Sequence, residues 1–334
     1  MDIKEVARLA RVSTATVSRV LNNLPVVRPA TYEHVKRVIE ELGYFPNVSA
    51  RNLRTGRSEL FGLIVSDIKN PFFPELIDSF DAMATAHGID VIFTHTNYDP
   101  KRLEHCLRRM VERDVDGIAV MTSEVSTGAL ERVNSAGVPL VLLNQSATLD
   151  KKFNNIHVNY SVGYEEAIRH LRDIGHRRIG FISGPKTFYS ATRRREAFLA
   201  GLKRCGLRIR KEWIFVGDLH VEGGYAAMQK LLQSRSRPTA LISTNDLMAV
   251  GALQAVQAAG LCVPRDISII GFDDLPICTM VRPALTTIRH PRNEIAECAF
   301  SLLLRASRPG RKTKISTQTI SPRLTVRGST GPPA

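Results

Sequence analysis

Hydrophobic and polar residues are arranged in two different patterns along the chain. Over the first 60 residues, apolar positions recur at every third or fourth residue, which predicts three short helices at 3–10, 14–22 and 31–42. From residue 60 onward, unbroken apolar runs alternate with amphipathic segments. The second pattern is typical of parallel sheets that are covered by helices on both faces.

The second region contains about ten predicted strands, which is too many for one sheet. We therefore predict two lobes, with the break between them near 159–163. The clearest predicted strands cover 60–66, 89–94, 117–121, 138–143, 178–183, 239–243 and 267–272. The clearest predicted helices cover 72–87, 100–113, 191–205 and 246–259.

The exposed face of the second predicted helix carries small residues and one arginine. Thr14, Ala15 and Thr16 occupy its first turn, and Arg19 follows one turn later. Ala15 can pack on a thymine methyl group, and Arg19 can donate two hydrogen bonds to one guanine. Ser13 can cap the helix, and Ser13 and Thr16 both suit phosphate oxygens. Helix-turn-helix DNA binding is one interpretation of this face, and an ordinary solvated helix in a three-helix bundle is the other.

A short basic segment follows the three helices. Asn47 can cap a helix over 48–54, in which Leu53 is flanked by Arg54 and other arginines, with no acidic residue before Glu59. A basic helix with one prominent leucine fits a minor-groove wedge that kinks the duplex. A flexible basic linker is the alternative interpretation of the same residues.

The charge distribution favours a polyanionic partner. The net formal charge is +14, and both ends are basic, at +4 over 1–60 and +7 over 305–334, while 61–304 is nearly balanced. The sequence has no run of 18 apolar residues and no signal peptide, so no membrane association is expected. The five cysteines show no paired spacing, which suits a reducing, cytoplasmic location.

Polar residues directly after the predicted strands are candidates for a ligand site, because open α/β sheets bind ligands beyond the carboxyl ends of their strands. These candidates are Asp67, Asn70, Phe72, Phe73, Asn144, Gln145, Ser190, Arg194, Asn245, Asp246, Asp273 and Asp274. Aromatic rings together with amides, carboxylates and an arginine suit a sugar. For each residue alone, a helix cap is the simpler interpretation, notably for Asn70 and Asp246.

Motifs for catalysis are missing from the sequence. It contains no G-x-x-x-x-G-K-[ST], no G-x-S-x-G and no H-E-x-x-H, and the nine histidines do not pair at helical spacing. Asp273 and Asp274 are adjacent carboxylates, but neighbours in a chain point apart and no nucleophile accompanies them. We therefore expect no enzyme activity, no cofactor and no metal site.

Several stretches of the sequence closely resemble the lactose/galactose-repressor (LacI/GalR) family of bacterial regulators. The N-terminal stretches are DIKEVARLARVSTATVSRVLNN and ELGYFPNVSARNLRTGRS, an ungapped match over about 58 residues. Further landmarks follow in the family order, namely NPFF, GHRRIGFISGP, RREAF, PTALISTNDLMAVGAL, VPRDISIIGFDD and PALTTIRHP. The resemblance covers roughly 1–327 of the 334 residues.

The resemblance implies an α-helical helix-turn-helix headpiece joined to a two-lobed α/β domain with parallel sheets, like the periplasmic sugar-binding proteins. The implied divisions are a headpiece over 1–46, a hinge helix or linker over 47–58, and an effector-binding and dimerisation domain over 59–330. The N-lobe would comprise about 59–160 and 290–319, and the C-lobe about 161–289 and 320–330. Three crossovers would join the lobes near 159–162, 286–291 and 318–323.

The resemblance also implies a homodimeric repressor on a palindromic operator, with a small-molecule effector, a sugar or sugar derivative, in the cleft. Thr14, Ala15 and Arg19 would read bases, and Leu53 would enter the central minor-groove step. The implied effector residues are Phe72, Phe73, Gln145, Ser190, Arg194, Asn245 and Asp273. Phe188 and Leu219 depart from the usual residues of the family, which leaves the effector's identity open. A cytosolic solute-binding or solute-modifying protein whose headpiece is an interaction module is the rival interpretation.

Overall fold

The computed structural model describes residues 2–44, 56–122, 124–145, 148–234, 236–308 and 314–334. The chain forms two compact units, Met1–Ser58 and Glu59–Ala334. The predicted hinge helix over 48–54, with Asn47, Leu53 and Arg54, lies outside the described residues.

The N-terminal unit contains helices α1 (Ile3–Leu9), α2 (Thr14–Leu21) and α3 (Pro29–Glu41). Their apolar faces meet in a small core, in which Val6, Val17 and Val35 are fully buried. The third helix begins two residues earlier than predicted, because Pro29 suits the first turn of a helix, where no backbone N–H is needed.

The turn between α1 and α2 is short and tightly hydrogen-bonded. Arg11 adopts a left-handed conformation with φ of 52°, which reverses the chain directly after α1. The Ser13 hydroxyl then accepts a hydrogen bond of 3.1 Å from the Thr16 amide, so Ser13 caps α2 as the sequence predicts.

The second unit is built from two six-stranded sheets covered by helices. The strands are β1 (Leu60–Val65), β2 (Asp90–His95), β3 (Gly117–Met121), β4 (Leu140–Leu143), β5 (Asn154–Val158), β6 (Ile179–Ser183), β7 (Ile214–Val216), β8 (Ala240–Ser243), β9 (Ser268–Asp273), β10 (Thr286–Arg289), β11 (Thr317–Ile320) and β12 (Arg323–Thr325). The helices are α4 (Phe72–Ala86), α5 (Pro100–Glu112), α6 (Thr127–Ser135), α7 (Tyr160–Asp173), α8 (Tyr189–Arg204), α9 (Val221–Leu232), α10 (Asp246–Ala258), α11 (Ile277–Met280) and α12 (Arg292–Ala306), with a 3-10 turn at Lys211–Trp213.

Each sheet forms the centre of one lobe. The first sheet has the order β11-β5-β4-β3-β1-β2 and is parallel throughout. The second has the order β12-β10-β9-β8-β6-β7, in which only β12 runs antiparallel. The predicted strands occur within two residues of their expected positions.

The chain passes between the two sheets at three places, between β5 and α7, between β10 and α12, and between β11 and β12. The three passages are close together in space, because Gly163 at the start of α7 packs against Ile288 and Pro322. A side chain at Gly163 would overlap Ile288, so glycine is required for this close approach. The cleft between the lobes opens beside these passages.

Candidate functional site

A cavity lies between the two lobes, at the carboxyl ends of the parallel strands. The residues that line it come from both lobes: Ser66, Asn70, Phe72, Phe73, Tyr98, Met121, Leu143, Asn144, Tyr160, Ser190, Ala191, Arg194, Leu219, Thr244, Asn245, Asp273 and His290. This is the position at which open α/β sheets bind ligands, and the mixture of aromatic and polar groups suits a small polar molecule.

Arg194 and Asp273 form a buried ion pair in this lining. The Nη2 atom of Arg194 lies 3.3 Å from Oδ1 of Asp273, and its Nη1 atom donates a 2.8 Å hydrogen bond to the Thr244 carbonyl. The guanidinium carbon stands 4.1 Å above the centre of the Phe272 ring. Burial disfavours the charged guanidinium, but the Asp273 carboxylate together with Tyr160 and Tyr164 outweighs burial, and the pKa of Arg194 is raised. The arginine is therefore held charged and immobile.

The backbone that presents Asp273 is strained and firmly held. Asp273 and Asp274 both have positive φ, of 117° and 58°. The Leu275 amide donates to Oδ2 of Asp246 at 2.8 Å, and the guanidinium of Arg292 donates to the carbonyls of Asp273 and Asp274. Strained backbone of this kind persists where several contacts fix it, often at ligand sites.

His290 is a buried histidine whose ring nitrogens make no hydrogen bond within the described chain. Its ring stacks on Phe72, with centroids 4.6 Å apart. The Nδ1 atom lies 3.4 Å from Oδ1 of Asp273 but without hydrogen-bond geometry, and neither ring nitrogen is hydrogen-bonded within the described chain. Burial lowers the pKa of His290 to about 4, so the imidazole is neutral near pH 7.

Two asparagines fix the local backbone around the cavity. Asn144 donates to the Tyr160 hydroxyl at 3.0 Å and accepts from the Val158 amide, which ties the end of β4 to the first passage between the lobes. Asn245 caps α10 by accepting from the Met248 amide at 3.0 Å, and it donates to the Leu219 carbonyl at 2.8 Å.

An aromatic pair joins the two lobes at one side of the cavity. Tyr98 follows β2 in the first lobe, and Phe188 precedes α8 in the second. Their rings are stacked with centroids 4.5 Å apart and planes 15° apart, and both pack against the apolar cluster that contains Leu219. Phe188 and Leu219, the two positions at which the sequence departs from the family that it resembles, therefore belong to this apolar wall.

A second candidate surface lies on the N-terminal unit. Thr14, Ala15 and Arg19 are exposed on α2, and Thr16 is half-buried on the same helix. Val17 and Val20 occupy the opposite, buried face. The exposed side of α2 therefore presents small groups and one guanidinium to solvent, as direct readout of base edges requires.

Each of the two candidate sites contains residues from a part of the chain that matches a known protein family. Residues 2–47 match the bacterial regulatory proteins of the lacI family, and residues 168–330 match the periplasmic binding protein-like domain. The chain is 35% identical over 303 residues to the ribose operon repressor of Escherichia coli (strain K12), which covers 90% of this chain and 92% of the repressor. The chain belongs to the lacI family of bacterial regulatory proteins.

Solved structures of lacI family proteins share this fold over most or nearly all of the chain. The crystal structure of the Lac repressor dimer bound to operator and the anti-inducer ONPF gives a TM-score of 0.87 at 27% identity, covering 99% of each chain. A LacI family transcriptional regulator from Enterococcus faecium with bound ribose gives 0.72 at 27% identity, covering 82% of this chain and 99% of that one. The predicted family and fold class are confirmed.

Most of the effector residues that the lacI resemblance implies line the cavity. They are Phe72, Phe73, Ser190, Arg194, Asn245 and Asp273. Gln145 is not among the lining residues, and its side-chain amide donates to the carbonyls of Thr122 and Leu143, at 3.0 and 2.9 Å. Its neighbour Asn144 lines the cavity, and its backbone is left-handed, with φ of 53°.

Thr244 and His290 line the cavity but were not predicted from the sequence. Both come directly after a strand, so the rule that ligands bind beyond the carboxyl ends of strands (the strand-end rule) indicates them. Tyr98 was not predicted either, and the rule does not indicate it, because Tyr98 lies three residues beyond β2. Among the helices that the structure describes, none combines the length and the apolar character needed to cross a bilayer.

Proposed function

We propose that this lacI family chain is a sequence-specific DNA-binding transcriptional repressor, controlled by a sugar or sugar derivative that binds between the lobes. The observation that carries the proposal is the presence, in one chain, of a capped α2 with an exposed readout face and an interlobe cavity centred on Arg194 and Asp273. The ribose operon repressor is 35% identical over most of both chains, which supports the same role here.

The proposed DNA contacts divide into two groups. Thr14, Ala15 and Arg19 read base edges in the major groove, while Ser13 and Thr16 contact phosphates at the start of α2. Asn47, Leu53 and Arg54 belong to the proposed hinge segment, in which Leu53 enters the minor groove. A homodimer presents two copies of α2 to the two halves of a palindrome. The Lac repressor, of similar fold, is seen as a dimer bound to its operator.

The proposed effector contacts are the six implied residues that line the cavity, with Thr244 and His290 added from the structure. A regulator of similar fold binds ribose, which supports a sugar for this cavity. The proposed lobes comprise 59–160 with 290–319 and 161–289 with 320–330, and the C-terminal segment continues the second lobe because Gly331 donates to Ser268. Catalysis has no part in this proposal, and the protein acts in the cytoplasm.

The proposed mechanism is thermodynamic linkage between the cavity and the DNA. An effector between the lobes favours one relative arrangement of those lobes. The hinge segments of the two protomers pair only in one arrangement, so the effector changes the affinity for operator. Such coupling is typically about 1–3 kcal/mol.

A mobility-shift titration tests the proposed function. A palindrome is selected from random duplexes, and its affinity and that of a scrambled duplex are measured over a series of salt concentrations. We expect a steep negative dependence on salt for both duplexes, and about 10³-fold or more tighter binding of the palindrome. Equal affinity for both duplexes, with and without a mixture of metabolites, would favour the solute-binding interpretation.

A further inference from the structure

The charged groups that line the interlobe cavity balance one another. Among the lining residues that the structure describes, Arg194 is the only lysine or arginine and Asp273 the only acid. The two form an ion pair at 3.3 Å, and both are largely buried. The guanidinium charge is therefore already compensated before any ligand enters.

A second cation, Arg292, lies behind Asp273, and both of its terminal guanidinium nitrogens are engaged. Its guanidinium donates to the carbonyls of Asp273 and Asp274, and its Nη2 atom forms a 2.6 Å ion pair with Glu75. Breaking these contacts to reach a ligand would release the strained backbone that presents Asp273. Arg292 is therefore not a cation that a ligand can use.

Two carboxylates outside the lining, those of Asp67 and Glu124, act on the Tyr98 phenol. Burial, together with the nearby carboxylates of Asp67 and Glu124, raises the pKa of the Tyr98 phenol. The same carboxylates would repel a phosphate or carboxylate that entered from this side. Burying an anion without a matched cation is costly, because its hydration is lost and nothing replaces it.

Two neutral residues of the lining carry buried polar atoms that lack a hydrogen-bond partner. His290 has two ring nitrogens without a hydrogen bond, and Thr244 has a buried hydroxyl without one, within the described chain. A neutral imidazole offers one donor and one acceptor, and a hydroxyl offers both. Such groups match the hydroxyls of a sugar, which also donate and accept. The Nε of Arg194, likewise unpartnered, adds a donor.

We infer that the cavity accepts an uncharged polyhydroxylated ring, a neutral sugar, and excludes sugar phosphates and sugar acids, with His290 as a specificity-determining partner of a ligand hydroxyl. The inference rests on the proposed function, since it specifies the effector of that same cavity. Its basis is the charge balance of the lining and the unpartnered donors and acceptors of the neutral residues His290 and Thr244.

Calorimetric titration of the full chain with matched ligands tests the inference. The ligands are neutral pentoses and hexoses, each with its phosphate and its acid, for example D-ribose, D-ribose 5-phosphate and D-ribonate. We expect binding by at least one neutral sugar, and at least about tenfold weaker binding by its phosphate and acid. Equal or tighter binding of a charged member, or no binding by any neutral sugar, would overturn it.

Substitutions at His290 separate ligand recognition from packing. His290→Phe retains a ring that can stack on Phe72 but removes both nitrogens, so we expect about tenfold or greater loss of affinity for the neutral sugar with little change in thermal stability. His290→Gln supplies a donor and an acceptor and should recover much of that affinity. Equal affinity in all three proteins would remove His290 from the inference.

Asp273→Asn provides the converse test, because it leaves Arg194 without its counter-charge. We expect this variant to shift its preference toward the phosphate relative to the neutral sugar, and an unchanged preference would contradict the charge argument. Operator binding is measured on the same preparations. A chain that binds operator but responds only to anions disproves this inference alone, whereas a chain without sequence-specific DNA binding disproves the proposed function.

Discussion

Arg19 is the residue of α2 that should contribute most to base specificity. It is exposed on the same helix face as Thr14 and Ala15, and its guanidinium can donate two hydrogen bonds to one guanine. We predict that Arg19→Ala costs roughly 1–3 kcal/mol of operator binding and relaxes specificity at one guanine in each half-site. Operators with single substitutions, measured by mobility shift, give the result.

Arg37→Ala is a suitable control for Arg19, because Arg37 is an exposed arginine on α3. It should weaken binding little and equally on all operators. An equal loss on every sequence for Arg19→Ala itself would show that Arg19 contacts phosphate and reads no base.

Asp246 is a buried carboxyl group behind the cavity that should make stability depend on pH. Burial, with a contribution from the Asp273 carboxylate, raises the pKa of Asp246 from 3.8 to about 7. The folded state therefore holds a proton that the unfolded state releases above about pH 4. The stabilisation that this bound proton provides is fully present below about pH 4 and is lost as the pH rises toward 7.

The measurement is the free energy of unfolding of the effector unit in full-length protein, from pH 4.5 to 7.5. We predict that the difference between wild type and Asp246→Asn changes by up to about 1.4 kcal/mol per pH unit, with wild type losing stability as the pH rises. Histidines titrate in both proteins, so their contribution cancels in the difference between the two free energies of unfolding. Parallel profiles would contradict the prediction.

Single residues of the cavity could be predicted only in part. The strand-end rule indicates Arg194, Asn245 and Asp273, because the topology forces the carboxyl ends of parallel strands to one edge. It cannot decide between Asn144 and Gln145, since the choice depends on which acceptor lies within reach of each amide, the Tyr160 hydroxyl for Asn144 and the Thr122 carbonyl for Gln145. That information comes from neighbouring strands and is not local.

At the scale of elements, apolar patterns predict the strands that are rich in apolar residues, including the edge strand β2, and miss the strands that are rich in polar residues. β1, β3 and β9 are almost wholly buried and appear as unbroken apolar runs. β5 begins with two buried asparagines, and β11 is an exposed edge strand. The first asparagine of β5 accepts from the Ser316 amide at 3.0 Å, a partner that lies far away in the sequence. Such long-range bonds give no periodic signal.

The segment over 47–58 remains a prediction from the sequence, and Leu53→Ala tests it. If Leu53 enters the minor groove, its removal should reduce operator bending, because the apolar group that separates the base step is lost. We expect weaker bending in circular-permutation mobility shifts, with the affinity for sugar unchanged in calorimetry. Unchanged bending would exclude the wedge and favour a flexible linker.

At the scale of the whole molecule, the cavity contacts both lobes and can therefore report on their arrangement. Arg292 in α12 connects Glu75 of the first lobe to the backbone of Asp273 and Asp274 in the second. The Tyr98–Phe188 stack forms a further bridge. A ligand that contacts Asp273 and Phe72 touches both sides at once, so its binding energy depends on how the lobes are placed.

Linkage makes the coupling between sugar and DNA reciprocal. If the sugar that binds in calorimetry changes operator affinity by a given factor, saturating operator must change sugar affinity by the same factor, and we expect this factor to be about 5–150. The two factors are measured independently, by mobility shift with and without sugar and by calorimetry with and without operator. A scrambled duplex is the control and should leave sugar affinity nearly unchanged, because it engages the phosphate contacts without the specific complex. Equal sugar affinity on free and operator-bound protein would show that the cavity and the DNA-binding surface are not coupled, even if each binds its own ligand.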